Sequence, residues 1–284
     1  MSNPRLSPLP RLLVEDAVRM ALKEDLGRAG DITTDAIIAA DAQISAVIGA
    51  RQAGCIAGLD LAQAAFHLLD DGIVFQRRVE DGDEVSAGSE VVHLAGNARA
   101  ILSAERVALN YLGHLSGIAT ATRELVALTQ GTRAQICDTR KTTPGLRLFE
   151  KYAVKAGGGA NHRFGLDDAV LIKDNHIAAA GGIIRAIEAA KAATGHMVKI
   201  EVEVDTLDQL DLALKAGVDA VLLDNMNADT LGEAVRRIDG RALAEASGGV
   251  HAGTVAAIAA SGVDMISVGA LTHSAKVLDL GLDF

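Results

Sequence analysis

Glu203, Asp224 and Glu245 follow one another at intervals of 21 residues, and Ser267 comes 22 residues later. Each lies at or near the end of a short apolar run: VKIEVEV (198–204), DAVLLD (219–224), ALAEA (242–246) and DMISV (264–268). Between the runs lie Ala- and Leu-rich helical patterns such as TLDQLDLALKAG and GTVAAIAASG, closed by glycines at 195, 217, 240 and 262. Glycine tolerates the left-handed turn that ends a helix. A period of about 21 residues holds one strand and one helix, so a chain repeating it lays its strands parallel under a cover of helices. AQICD (134–138) and AVLIK (169–173) bring the number of such units to six. The pattern predicts an α/β fold with a (β/α) barrel, incomplete at this number; an open doubly wound sheet is the alternative.

Polar residues sit where such a barrel does its chemistry. Lys173, Glu203, Asp224, Glu245 and Ser247 fall at or just past the C-terminal ends of the predicted strands, the active face of a (β/α) barrel. The run 198–204 alternates strictly, with Val198, Ile200, Val202 and Val204 on one face and Lys199, Glu201 and Glu203 on the other. The valine face should meet helices and the charged face should point into the barrel. The competing reading is an edge strand with a solvated side.

The first half has another texture. Residues 11–26 pattern as a helix, followed by ISAVIGARQAG, a helix near 58–69, IVFQRRVEDGDEV with a tight turn at Asp81-Gly82, EVVHLAG, and a long helical pattern over 97–127. This reads as a smaller α/β sandwich over 1–116, rejoined by 275–284, beside the barrel domain over 117–274. At 284 residues with 49% apolar content, the chain can build both cores. A net charge of -10 argues against a nucleic-acid-binding surface. The two cysteines, Cys55 and Cys137, show neither metal-ligand spacing nor a disulfide framework. No apolar stretch is long enough for a signal peptide or a membrane span. The expectation is a cytoplasmic globular protein.

Charge is uneven along the chain. Residues 133–173 hold eight Lys and Arg against four acids, a net of +4, so the remainder carries -14. A cationic window in an anionic protein gathers small anions. Inside it, DTRKTTPGLR (138–147) arranges Arg140, Lys141 and Arg147 around a stiff Pro144-Gly145 turn, either as a solvated loop or as an anion cradle. KAGGGANHRFG (155–165) adds His162 and Arg163 after a glycine hinge. EASGGV (245–250) and SVGA (267–270) follow strands, and small residues there let backbone N–H groups approach a phosphate.

In order, EDLGRAGDITT (24–34), AERVALNYLGHLSGIATAT (104–122), DTRKTTPGLR, EKYAVKAGGGANHRFGLDDAVLIKDNH (150–176), IEVEV (200–204), LLDNM (222–226), EASGGV and ISVGALTHS (266–274) resemble the quinolinate phosphoribosyltransferase family over nearly the whole chain. The resemblance implies an N-terminal α/β sandwich domain plus an incomplete, open α/β barrel. It implies that quinolinate and phosphoribosyl pyrophosphate combine to give nicotinate mononucleotide, pyrophosphate and CO2, a step of de novo NAD biosynthesis. By motif match, Arg106, Arg140, His162 and Arg163 hold the quinolinate carboxylates. Lys141 and Lys173 neutralise pyrophosphate or the reacting region, and Glu203 and Asp224 bind the ribose hydroxyls; these four are the catalytic candidates. Ser247, Gly248, Gly249, Ser267, Val268 and Gly269 take the 5′-phosphate. Mg2+ is the implied cofactor, carried by pyrophosphate, with Glu203 and Asp224 as candidate ligands.

Arg106 lies in the first half, away from the other matched cations. The family's use of one subunit's sandwich to cover the partner's barrel implies a homodimer that shares Arg106, with higher assemblies left open. Ala29 and His251-Ala252-Gly253 depart from the family pattern but touch no matched substrate residue. The rivals are a related pyrophosphorylase-like protein linked to molybdenum transport, another phosphate-binding barrel enzyme, and a binding protein without activity. The first has altered dicarboxylate residues, the second leaves the arginine cluster unexplained, and the third should have lost Glu203 or Asp224.

Overall fold

Val14, Val18 and Leu22 recur at four-residue steps and form one buried face of helix α1 (Arg11–Leu26). The computed structural model describes residues 6–284, and the chain divides into two units. The first holds the chain up to Ala121, Tyr152–Gly158 and Ser274–Phe284; the second holds Thr122–Lys151 and Gly159–His273.

In the first unit, α1 is followed by α2 (Ile32–Ile37), β1 (Gln43–Ala50), β2 (Gly54–Cys55) and α3 (Leu59–His67). Strands β3 (Val74–Arg77), β4 (Glu84–Val85) and β5 (Glu90–Asn97) come next, then the long helix α4 (Ala98–Ala127). Asp31 caps α2 by accepting from the Thr34 N–H at 2.9 Å. Strand β1 buries Ala46, Ile48 and Ala50, every second residue, as a sheet with one covered face requires.

The second unit contains β6 (Gln135–Cys137), the first turn of α5 (Arg147–Ala156), β7 (Val170–Ile172), α6 (Asp174–Ala180) and α7 (Ile183–Ala193). It continues with β8 (Ile200–Val204), α8 (Leu207–Ala216), β9 (Ala220–Asp224), α9 (Ala228–Ile238), β10 (Leu243–Ser247), α10 (Val255–Ala260), β11 (Met265–Ser267) and α11 (Ala270–His273). All six strands are parallel, in the order β6-β11-β10-β9-β8-β7. The order runs one way round and never reverses, whereas a doubly wound sheet reverses at its switch point. The unit's first strand, β6, pairs with its last, β11, as in a ring. Among the described residues no ladder joins β6 to β7, and a single parallel bridge, Cys137 to Ala160, lies beside β6. The sheet is an incomplete, open barrel.

Strand β8 lies between β7 and β9, so the edge-strand reading fails. Val202 and Val204 are fully buried, and Glu201 and Glu203 occupy the opposite face. Thr206 and Gln209 start α8 as a reciprocal capping box. Gly217 closes α8 in the left-handed region, as expected (φ 76°). Gly195 does not, because α7 stops one residue earlier at an extended Thr194.

The chain then returns to the first unit as β12 (Leu280–Asp283), antiparallel to β1, completing a four-stranded sheet β12-β1-β5-β3. Gly117 makes that return possible. A Cβ there would lie 2.0 Å from the Lys276 carbonyl oxygen, so any side chain on this face of α4 would push the returning strand away.

Candidate active site

The inward residues of the parallel strands fall in register. Glu203, Leu222 and Glu245 are Cα partners across β8, β9 and β10, and Asp224 pairs with Ser247 one layer further up. This layering brings the strand ends to one cavity of about 410 Å³. Arg140, Lys141, His162, Arg163 and Lys173 line it together with Glu203, Asp224, Glu245, Ser247 and Ser267. Thr139 also reaches the cavity, which the sequence pattern did not single out.

The segment DTRKTTPGLR is shaped from both ends. Asp138, at the end of β6, is fully buried and accepts from the Lys151 ammonium, which is equally buried. The Asp138 carboxylate also accepts from Asn161 Nδ2 at 2.6 Å and the His162 N–H at 3.0 Å. Lys151 donates to the His162 carbonyl at 2.9 Å. One ion pair inside the unit thus fixes the backbone that carries His162 and Arg163. Burial still raises the Asp138 pKa, because desolvation outweighs Lys151. Thr272 Oγ1 donates to the Lys141 carbonyl at 2.7 Å and ties the segment to α11, the short helix after β11. Of its three cations, Arg140 and Lys141 line the cavity. Arg147 instead donates to Thr142 Oγ1 at 3.0 Å and to the Phe164 carbonyl at 2.8 Å, so it braces the wall.

Arg163 Nη1 donates to the Ala169 carbonyl at 3.0 Å, while its buried Nε has no partner. Burial, then the charge of Arg140, makes its positive form costly, which a bound anion would relieve. Lys173 Nζ lies 3.2 Å from Glu203 Oε2. The Asp224 pKa is raised by burial and then by Asp205, against the opposing pull of Lys173 and Lys141.

Deeper in, His162 Nε2 lies 2.9 Å from Glu201 Oε2 and 3.6 Å from Glu245 Oε1. The Arg163 N–H donates to His162 Nδ1 at 2.7 Å, which leaves the ring's hydrogen on Nε2, toward Glu201; burial lowers the imidazole pKa, but the hydrogen bond to Glu201 and the charges of Glu245 and Glu201 raise it by more. His162, Glu201 and Glu245 place their donor atoms within 4.8 Å of one another, as a metal set could. A metal would need the Nε2 lone pair, hence a proton on Nδ1, and the Arg163 N–H occupies that side. The trio is built for a proton. Burial, then the charge of Glu201, pushes the Glu245 carboxyl up to about 7.

At the ends of β10 and β11, Ser247 and Ser267 line the cavity. Gly248 and Gly249 both have positive φ (88° and 62°), a backbone that side chains rarely adopt. A Cβ on Gly248 would lie 2.1 Å from Asn225 Oδ1. Gly269 flanks Ser267, and a Cβ there would meet Lys141 Cδ at 2.8 Å. Val268 drops out of the predicted set, because its N–H donates to the Cys137 carbonyl at 2.9 Å and its side chain is buried. Arg106 does not line this cavity; it lies on α4 in the first unit, largely exposed, 4.0 Å from Glu105.

Models of the quinolinate phosphoribosyl transferase N-terminal and C-terminal domains match residues 31–116 and 118–283. The chain belongs to the quinolinate phosphoribosyltransferase family. A probable nicotinate-nucleotide pyrophosphorylase [carboxylating] of Bacillus subtilis is 46% identical to it over 260 residues, 92% of this chain and 89% of that one. The nicotinate-nucleotide pyrophosphorylase [carboxylating] of Mycobacterium leprae is 46% identical over 273 residues, 94% of this chain and 96% of that one. The crystal structure of NadC from Streptococcus pyogenes superimposes with a TM-score of 0.95 at 42% identity, covering 98% of both chains. Among the described residues, no helix of this family member is long and apolar enough to cross a membrane.

Proposed function

We infer that this chain is a quinolinate phosphoribosyltransferase that forms nicotinate mononucleotide, pyrophosphate and CO2 in NAD biosynthesis. The observation that carries the reading is the convergence of Arg140, Lys141, Arg163 and Lys173 with Glu203 and Asp224 in one cavity. Two anionic substrates need that cationic wall, and a sugar gaining positive charge needs the carboxylates.

The mechanism follows from the chain's own groups. Arg140 and Arg163 hold the planar carboxylates of quinolinate, where guanidinium forks bind best. Lys141 and Lys173 stabilise the negative charge that builds on departing pyrophosphate. Glu203 and Asp224 hold the ribose hydroxyls and stabilise the oxocarbenium character that develops as the C1–O bond breaks. The pyridine nitrogen attacks from an aligned position, so orientation contributes more than a strong base. His162 is assigned away from direct carboxylate binding, because its Nε2–H is already given to Glu201. Ser247, Gly248, Gly249, Ser267 and Gly269 form the 5′-phosphate loops.

Mg2+ fits the pyrophosphate end. It takes oxygen ligands and usually combines one or two carboxylates with substrate phosphates. Asp224 is the carboxylate assigned to it, since Lys173 engages Glu203. When bound, the ion neutralises pyrophosphate. The two cysteines form no disulfide, which supports a cytoplasmic setting.

Purified protein given quinolinate, phosphoribosyl pyrophosphate and Mg2+ is expected to form nicotinate mononucleotide; failure of an otherwise folded chain to do so contradicts the reading. Gly269→Val tests the phosphate loop. The new side chain pushes into Lys141, so the KM for phosphoribosyl pyrophosphate should rise at least about tenfold while quinolinate binding holds. Equal KM values in the folded variant would remove this loop from the site.

Arg106 is assigned to the partner's cavity in a homodimer. The reading is supported by its exposure, its matched motif and its absence from its own chain's cavity. Arg106→Ala and Lys141→Ala homodimers should each be nearly inactive. Mixed under subunit exchange, they form heterodimers with one native site, and activity should return to roughly a quarter of the unaltered level. Verified exchange without recovery contradicts a shared site.

A further inference from the structure

Glu245 has no part in the mechanism above, yet it is buried and lines the cavity. Its Oε1 makes no hydrogen bond, and His162 Nε2 stands 3.6 Å from it. Its neighbours from each packed element are Glu201 on β8, His162 in the loop after α5, Ser267 on β11, and Cys137 on β6 with the Asp138–Lys151 pair behind it. His162 gives its Nε2–H to Glu201, and the Glu245 carboxylate stands beside it with no hydrogen bond to Oε1, so two buried carboxylates lie side by side. Two such groups cannot both stay ionised; they hold a proton between them. A proton on Glu245 also removes the orphaned acceptor.

We propose that Glu245, held against Glu201, is the acid that delivers a proton to the ring carbon vacated by CO2. This rests on the proposed function, and the decarboxylation is the step that calls for an acid. Once the ring nitrogen is bonded to ribose, the bond between ring C2 and its carboxylate carbon breaks. CO2 leaves, and the electron pair stays on C2 beside the positive nitrogen. The O–H bond of Glu245 then breaks, its proton bonds to C2, and the resulting carboxylate regains a proton from water. No oxidant or reductant is required. Without the acid, the C2 electron pair recaptures CO2 and the dicarboxylated mononucleotide persists. Burial keeps the Glu245 proton in place up to about pH 7, where the enzyme needs it.

The test is a rapid-quench single turnover of the unaltered chain and Glu245→Gln, following pyrophosphate, the dicarboxylated mononucleotide and CO2. In Glu245→Gln, pyrophosphate should appear at close to the normal rate. Conversion of the dicarboxylated mononucleotide should slow on the order of 10²- to 10⁴-fold, the range for loss of a general acid. In the unaltered chain that conversion should fall as pH rises above about 7, and Glu245→Gln should lose this alkaline limb. Simultaneous appearance of pyrophosphate, CO2 and product at normal rates, with the limb retained, overturns the proposal. Should Glu245→Gln lose its fold by circular dichroism, Glu245→Asp decides, since it keeps an acid one methylene further back. An unmoved alkaline limb and an unchanged conversion rate in it also overturn the proposal. If the unaltered chain makes no mononucleotide at all, the parent reading fails and this one with it; if only the variant comparison fails, the parent reading stands.

Discussion

Arg163→Ala should weaken quinolinate binding by roughly 30- to 5,000-fold and leave phosphoribosyl pyrophosphate binding nearly unchanged. The range corresponds to the ~2–5 kcal/mol lost when one partner of a buried charge pair is removed. Arg163 is already positioned for the role, with Nη1 anchored on the Ala169 carbonyl and Nε buried without a partner. Arg140 stands next to it, so a dicarboxylate relieves two crowded cations at once. Titration calorimetry with each substrate in turn measures the split. Equal losses for both substrates in a folded variant would show that Arg163 does not bind the dicarboxylate.

Lys151→Met should lower stability by about 3–5 kcal/mol, the usual cost of stranding a buried charge. Asp138 keeps Asn161 Nδ2 and the His162 N–H but loses its cation. The melting temperature should fall by roughly 6–20 °C. The loss should also depend on pH in a defined direction. The Asp138 pKa is already raised in the folded chain, and removing Lys151 raises it further. The folded variant therefore keeps a proton that the unfolded chain gives up above about 3.8, the ordinary value of the group. Stability is greatest below that pH and declines as pH rises through the folded pKa. Lys151→Met should thus be closest to the unaltered chain in acid and furthest from it at pH ~8. Thermal melts across this range measure it, and a pH-independent gap would mean that Asp138 is not left as a buried charge.

The architecture was legible because each βα unit is written locally. A strand covered on both sides must be apolar, and the helix after it must end where the next strand begins. Hence the 21-residue spacing of Glu203, Asp224 and Glu245 survives as three adjacent parallel strands, with Glu203 and Glu245 level across Leu222 and Asp224 two residues further along β9. Alternation along 198–204 also told which face of β8 carries charge. The open edge between β6 and β7 and the choice against a doubly wound sheet were not local, since they depend on which distant strands meet.

The lining of the cavity was legible where a residue stands at a strand end or in a matched motif, as with Lys173, Glu203 and Asp224. It was not legible where a charge turns inward. Lys151 and Arg147 lie in the basic window like Arg140 and Lys141, yet one is buried on Asp138 and the other braces Phe164. Only the folded path of residues 157–169 separates these roles. Val268 failed as a phosphate contact because parallel pairing with β6 consumes its N–H. Glu245 was visible as a strand-end acid, but its meaning comes from Glu201 two strands away and a histidine loop between them.

The most direct measurement uses quinolinate labelled in the carboxyl carbon adjacent to the ring nitrogen, with phosphoribosyl pyrophosphate and Mg2+. Labelled CO2, pyrophosphate and nicotinate mononucleotide should appear in equal amounts, and nicotinate in place of quinolinate should give almost no mononucleotide. Pyrophosphate released without labelled CO2, or nicotinate used as readily as quinolinate, would contradict the assignment of this cavity to a dicarboxylate and a phosphoribosyl donor.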